Sequence, residues 1–154
     1  KALHQGIEVS GAIYPIEGLK LYGSGAIQRA TIEDGKYKGN RVPYAPRYTA
    51  TAGAKYQLEL GGGTLTLNGY GNFVSSQFSD QKNTFEGSAD GNDGLIPKFF
   101  LLNATANYSI KQWNVNLNAL NLLNRKYFTT RHPAWGGIMP AATISVLAGV
   151  GYQF

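Results

Sequence analysis

The stretch "YTATAGAKYQLEL", Tyr48 to Leu60, decides the fold. Tyr48, Ala50, Ala52, Ala54, Tyr56, Leu58 and Leu60 share one parity, and Thr49, Thr51, Gly53, Lys55, Gln57 and Glu59 share the other. Side chains of a strand point alternately to its two faces, so this is an extended segment with an apolar side and a polar side. It is long enough to cross a bilayer as a tilted strand, which takes roughly 9–11 residues.

The same period runs outward in both directions. "TLTLNGYGNF" sets Leu65, Leu67, Gly69, Gly71 and Phe73 against Thr64, Thr66, Asn68, Tyr70 and Asn72. "FLLNATANYSI" opposes Phe100, Leu102, Ala104, Ala106, Tyr108 and Ile110 to Leu101, Asn103, Thr105, Asn107 and Ser109. In "QWNVNLNAL" Trp113, Val115, Leu117 and Ala119 alternate with asparagines, and in "ISVLAGVGYQF" the clean face is Ile144, Val146, Ala148, Val150, Tyr152 and Phe154. "GIEVSGAIY" and "LKLYGSGAI" follow the rule less strictly. No helical period persists, and no apolar run approaches the roughly 20 residues of a membrane helix.

About seven strands result, and their connections fall into two kinds. Pro15–Gly18, Gly61–Gly62 and Lys111–Gln112 are short; Arg29–Arg47, Ser75–Pro97 and Asn124–Ala142 are long. Short and long alternate strictly, the layout of an outer-membrane barrel with tight periplasmic turns and extended outer loops. A soluble β-sandwich also alternates, but its outer face needs charge. Here charged residues are only 15%, against roughly 25% in ordinary domains, and the polar face is mostly Asn, Thr, Ser and Gly. Aromatics gather near strand ends, at Tyr48, Tyr56, Tyr108, Trp113, Tyr152 and Phe154, as interfacial girdles require. The expected fold is therefore all-β, an antiparallel transmembrane barrel. Such barrels close with an even strand number from about 8 upward, so residues 1–154 are expected to be one portion of a longer barrel chain. An arginine is expected to be costly at Ala104, on the apolar face, and tolerated at Asn103, on the polar one.

The chemistry available is narrow. Cysteine is absent, so thiolate catalysis, disulfides and cysteine metal sites are excluded. Net charge is +5 with the basic residues scattered, which gives no nucleic-acid footprint. Only His4 and His132 offer imidazole bases, and Ser75 and Ser76 sit on no nucleophile elbow. The glycines Gly61 to Gly63 join two strands, so they are no phosphate loop. The sequence is not that of an enzyme. Asp90-Gly91-Asn92-Asp93-Gly94 lacks the closing Glu and ligand spacing of a calcium loop and is expected to be a solvated turn, leaving no metal site.

Several stretches carry a further likeness: "GNRVPYAPRYTATAGAKYQ", "SSQFSDQKNTFEGSADGNDGLIPKFFLLNATANY", "ALNLLNRKYF" and the terminal aromatic strand. They resemble TonB-dependent outer-membrane receptors, most closely the ferric citrate and ferric siderophore branch, over essentially the whole chain. The resemblance implies a barrel of roughly 22 strands with a plugged lumen, of which this is the C-terminal portion. It implies import of an Fe(III) chelate, with no covalently bound cofactor, driven through the TonB complex. Partners implied are outer-membrane lipid and lipopolysaccharide, and the assembly machinery, which reads the aromatic ending Tyr152–Phe154. The alternative at this point is a passive porin of the same fold.

Candidate ligand contacts lie in the long loops. Arg131, His132 and Trp135 stand in "NRKYFTTRHPAWGGIMP"; a guanidinium fork suits anionic chelate oxygens, His132 before Pro133 either contacts ligand or punctuates a turn, and Trp135 either stacks on an aromatic chelator or packs the loop. Tyr37 and Arg41 stand in the first long loop among Lys36, Lys38 and Arg47, a basic set that would steer an anionic chelate, although the resembling family shares Gly39-Asn40-Arg41-x-Pro43 across ligands, which implies a structural role for Arg41 instead. "HPAWGG" without Asn, and Pro140-Ala141-Ala142-Thr143 for the usual Pro-Arg-Thr, depart from the ferric citrate branch and leave the chelate open.

Overall fold

The alternating segments pair with one another in chain order. The computed structural model describes residues 1–132 and 136–154, with His132 given by its backbone. Its strands are β1 (Ala2–Ile16), β2 (Leu19–Ile32), β3 (Tyr48–Leu60), β4 (Gly63–Val74), β5 (Gln77–Phe78), β6 (Leu95–Ile96), β7 (Phe99–Ile110), β8 (Trp113–Leu120), β9 (Phe128–His132), β10 (Gly137–Pro140) and β11 (Ser145–Tyr152). Seven of them form one sheet in the order β1-β2-β3-β4-β7-β8-β11, every neighbour antiparallel. The pairs β5–β6 and β9–β10 are separate small hairpins inside the long loops. The sheet is an unclosed part of a barrel, with β1 and β11 as its edges.

The short connections are the tight turns expected. Gly61 and Gly62 hold φ of 59° and 81° between the paired residues Leu60 and Gly63, the left-handed pair that suits the twist of a two-residue hairpin. Lys111 takes φ 51° in the turn between Ile110 and Trp113.

The distribution of exposure is inside out for a protein in water. Ile7, Val146 and Val150 are 73%, 63% and 69% exposed, while Asn103 is 6% exposed. A row of exposed apolar side chains on one face, against a hydrogen-bonded polar face, is what a sheet needs when lipid lies outside and a wet lumen inside. On the polar face side chains link strand to strand. Asn72 Nδ2 donates to Thr51 Oγ1 at 2.9 Å, Asn103 Nδ2 to Asn72 Oδ1 at 3.0 Å, and the backbone N–H of Asn121 to Asn103 Oδ1 at 2.9 Å. Lower on the wall, Asn107 and Asn114 exchange bonds of 3.1 and 3.0 Å. Tyr22 reaches across β3 to donate its hydroxyl to Asn68 Oδ1 at 2.9 Å. It passes over Gly53, where a Cβ would stand 2.6 Å from the tyrosine ring and hydroxyl.

At the end carrying the short turns, aromatics cluster. Trp113 and Tyr152 are register partners with ring centroids 4.8 Å apart, and Tyr152 meets Phe154 at 5.1 Å. Tyr108 donates its hydroxyl to Leu60 O at 2.8 Å. Amphipathic rings with an apolar body and a polar tip suit a membrane–water boundary.

Several boundaries differ from the sequence expectation: β1 runs through Pro15 to Ile16, L2 extends one residue further, and two others have a clear local reason. β2 continues to Ile32 instead of ending before Arg29, because the first long loop folds back onto it: Ile32 N–H donates to Asn40 O, Val42 N–H to Ala30 O, and Thr31 bridges Arg41. β8 ends at Leu120, ahead of Asn124, because Asn121 turns to φ 52° and leaves the ladder. Regular pairing of the last strand starts at Ser145 rather than Ile144. The long loops are thus L1 (33–47), L2 (75–98) and L3 (121–144). Asn103 lies on the polar face as expected, and both ends of its amide are engaged in the interstrand chain just described.

Arginine at Ala104 is expected to cost roughly 2–4 kcal/mol if that residue lies at the bilayer midplane, whereas Thr105→Arg, on the lumen face of the same strand, is expected to cost far less. Urea titration of the full-length receptor folded into lipid vesicles measures both, and equal costs would refute the assignment of faces.

Candidate functional site

L1, L2 and L3 leave the same end of the sheet and are tied into one body. The tie between L1 and L2 starts at Asn83, whose φ of 59° aims its amide at L1. Asn83 Oδ1 accepts from the Arg41 backbone N–H at 2.7 Å, and Asn83 Nδ2 donates to Arg41 O at 2.9 Å. Asn40 Nδ2 adds a bond of 2.9 Å to Gln81 O, and Tyr44 N–H one of 2.8 Å to Phe78 O. Beneath these bonds lies a small apolar core: Ile96 is fully buried, and Phe78 is buried in T-shaped contact with Phe85 at 5.2 Å.

Two arginines are built into this body. The guanidinium of Arg41 lies over the Phe78 ring at 5.2 Å and donates through Nη2 to Ala45 O at 3.2 Å, with Ser76 O at 3.5 Å. Burial, and then the nearby Arg47, lower its pKa from the ordinary arginine value. Arg131, on β9, is 8% exposed. Its Nη1 donates to Gly91 O at 2.9 Å and its Nη2 to Leu95 O at 3.4 Å, while the guanidinium lies 5.0 Å from the centre of the Phe128 ring. Its own carbonyl accepts from the Tyr44 hydroxyl at 2.6 Å. Arg131 therefore joins all three loops, and its Nε is buried with no partner among the described residues.

The base of L3 is fixed to the wall of the sheet. Asn121, 3% exposed, donates through Nδ2 to Arg125 O and Ala142 O and accepts the Arg125 N–H at 2.9 Å. Because its backbone N–H also bonds Asn103, the interstrand chain from Thr51 ends by closing both ends of L3.

The residues singled out from sequence fall into two groups. Arg41 and Arg131 point their donors at backbone carbonyls within the loop body. Tyr37 lies half-buried in L1 with Lys36 Nζ 5.6 Å from its ring centre, and Lys36 and Lys38 are exposed beside it. His132 closes β9, its backbone paired with Gly137. Trp135 lies outside the described residues. Asp90 accepts from Ser88 Oγ at 2.6 Å and from the N–H and Nδ2 of Asn92 at 3.1 and 2.7 Å. The Ser88 hydroxyl first, then the Asn92 N–H, hold its carboxyl below the usual carboxylate range. The Asp90 carboxylate is thus satisfied within its own turn, and among the described residues no three His, Cys, Asp or Glu side chains converge on a metal position. Asn83 and Tyr44 escape sequence reasoning, since both are ordinary polar loop residues whose importance comes from partners about 40 and 87 positions away.

Comparison with known proteins places this architecture. A family model described as TonB dependent receptor-like, beta-barrel matches residues 1–122. The unliganded ferric citrate transporter FecA is 30% identical over 97% of this chain, with a TM-score of 0.81, and the match covers 24% of that protein. BauA, the ferric preacinetobactin receptor of Acinetobacter baumannii, is 27% identical over 99% of this chain, with a TM-score of 0.81, covering 22% of it. FyuA, the ferric yersiniabactin uptake receptor of Yersinia pestis, shares the fold at 22% identity and a TM-score of 0.70. The chain spans about a quarter of the length of the first two.

Asn83→Ala removes the paired bonds to Arg41 and is expected to weaken the L1–L2 contact by about 1–3 kcal/mol. Hydrogen exchange is expected to quicken across residues 36–47 and 77–96 while β7 and β8 keep their protection. Exchange confined to the neighbours of residue 83 would show that the loops do not move as one body.

Proposed function

The chain belongs to the TonB-dependent receptor β-barrel family of outer-membrane transport receptors, which are not enzymes, and from that premise we propose that it is the C-terminal portion of a receptor that imports a ferric chelate with energy from TonB. The observation that carries this reading is the match, over nearly the whole chain, to two receptors for ferric ligands at 27–30% identity. In this reading β1 and β11 pair with further strands of the same barrel, since a sheet in hydrocarbon leaves no edge unpaired. The aromatic ending at Tyr152 and Phe154 serves assembly as well as the interface.

The loop body gives the receptor a fixed outer rim. A rim whose loops are already ordered loses less freedom when ligand binds, which favours affinity. We assign Arg41 and Arg131 to holding this rim. Contact with the chelate falls to Lys36, Tyr37 and Lys38 of L1 and to His132 and Trp135 of the L3 sequence. Exposed ammonium groups steer an anionic chelate towards the mouth and are sensitive to salt.

Uptake of radiolabelled iron by cells expressing the full-length receptor, supplied with ferric citrate, catecholates and hydroxamates in turn, tests the proposal. Saturable uptake of one chelate that disappears when TonB is deleted is expected. Unsaturable uptake independent of TonB would identify a passive channel instead. For the accepted chelate, Trp135→Ala is expected to weaken binding by up to roughly tenfold, the scale of one aromatic contact, without lowering the amount of folded receptor. Unchanged affinity would remove Trp135 from the site.

A further inference from the structure

The lumen wall is nearly free of charge. Among the described residues, the lumen-facing positions of β2, β3, β4, β7 and β8 are mostly Asn, Thr, Ser, Gln and Tyr, with charge at Lys20, Lys55 and Glu59 alone. Lys20 and Lys55 are direct register partners on β2 and β3, and both strands are paired on either side. The two lysines therefore stand within the wall, away from its open edges. Residues directly opposite in a sheet are close neighbours, and like charges there repel. Glu59 does not relieve the repulsion: it lies further along β3, roughly 13 Å away by strand rise, and its carboxylate accepts from Thr64 Oγ1 at 2.9 Å. Neither ammonium has a carboxylate within 4.0 Å among the described residues.

The pair has a defined level and a brace. Lys20 follows closely on the β1–β2 turn, and Lys55 stands nearer to Gly61 than to Tyr48, so both lie in the half of the wall opposite the long loops. Lys20 Nζ is 5.9 Å from the centre of the Tyr22 ring, within cation–π reach. That ring is fixed by its bond to Asn68 and by the notch at Gly53. Lys20 is half-buried and Lys55 exposed.

We propose, resting on the transport reading above, that Lys20 and Lys55 form a second anion site, through which an anionic, oxygen-rich ferric chelate passes after it leaves the rim. Two adjacent ammonium groups with no carboxylate between them recognise negative oxygens, and the neutral wall above them offers no competing charge. Passage needs binding strong enough to enter and weak enough to leave. Lysine suits that need, because its ammonium is a compact, hydrated point charge that does not lock a ligand as a guanidinium fork does. The loop body, by contrast, uses arginines for its fixed ties, Arg41 on Ala45 O and Arg131 on Gly91 O.

Radiolabelled iron supplied to cells expressing the full-length receptor tests this, given as ferric citrate, as a ferric tris-catecholate, both anionic, and as a ferric trihydroxamate bearing a free ammonium group. Uptake of an anionic probe and exclusion of the cationic one are expected. Lys20→Gln combined with Lys55→Gln is expected to lower the maximum uptake rate per folded receptor roughly tenfold, the scale of two exposed charge pairs. Binding of the same probe at the surface of cells lacking TonB is expected to keep its affinity. Lys20→Arg combined with Lys55→Arg restores the charge and is expected to restore uptake. An undiminished rate per folded receptor in the glutamine variant would overturn the site; if less of that variant folds, the lysines serve a carboxylate of the receptor itself. Equal import of the cationic probe would overturn the choice of charge.

A second measurement needs no transport. Acylation of Lys20 and Lys55 in the purified full-length receptor, read by mass spectrometry, is expected to slow roughly tenfold in the presence of one of the anionic probes. Equal rates with and without each probe would overturn the site even in a receptor that imports iron. Protection in a receptor that imports none of the three would refute the proposed transport function and leave the anion site standing.

Discussion

Hydrocarbon offers no partner to a backbone N–H or C=O, and everything else in this chain is arranged around that fact. Each spanning segment must give its polar backbone groups to neighbouring strands, and here the sheet meets that need by pairing strands in chain order, with tight turns and long loops alternating between them. Once the backbone is satisfied in this way, the side chains are free to divide by solvent. The outward parity becomes Ile, Val, Leu, Ala and aromatic residues, and the inward parity becomes Asn, Thr, Ser and Lys. The inward face then adds a second set of bonds, from Thr51 through Asn72 and Asn103 to Asn121. An unsatisfied amide in that chain would carry its full desolvation cost, so the wall and the base of L3 stand or fall together.

Above the membrane the constraint reverses. The loops meet water and have no lipid to hide from, yet they bury Phe78 and Ile96 and use two arginines as cross-ties. Arginine suits this task because its planar fork engages two carbonyls at once and its face stacks on an aromatic ring. Arg131 does both, on Gly91 and Leu95 and on Phe128. Arg131, a candidate ligand contact in the sequence, is in the fold the cross-tie between the three loops.

The sheet was legible in the sequence because its cause is local: period-two alternation states both the strand and its two solvents, and Gly61–Gly62 or Lys111–Gln112 state the turns. The chain order of strands followed, since each short turn forces an antiparallel neighbour. What escaped was non-local. Nothing near Arg29 announces that L1 will fold back and prolong β2, and nothing near Asn83 announces Arg41. Residues such as Asn103 were assigned to the correct face, but their burial depends on partners from other strands. The roles of Tyr37, His132 and Trp135 are proposals, because ligand chemistry in a connecting segment leaves no period to read.

The passage of Tyr22 over Gly53 has one more consequence. Alternation distinguishes the two faces of a strand but is blind to a slip of two residues, which keeps every side chain on its proper face. In β3 such a slip would bring Thr51 or Lys55 beneath the Tyr22 ring, where even a Cβ does not fit. Gly53 is the one lumen-facing position of β3 without a side chain. The pair works as a key and its notch: it singles out one alignment among those that hydrophobic patterning alone would accept equally. It does so in the middle of the wall, far from either turn that could otherwise set the count.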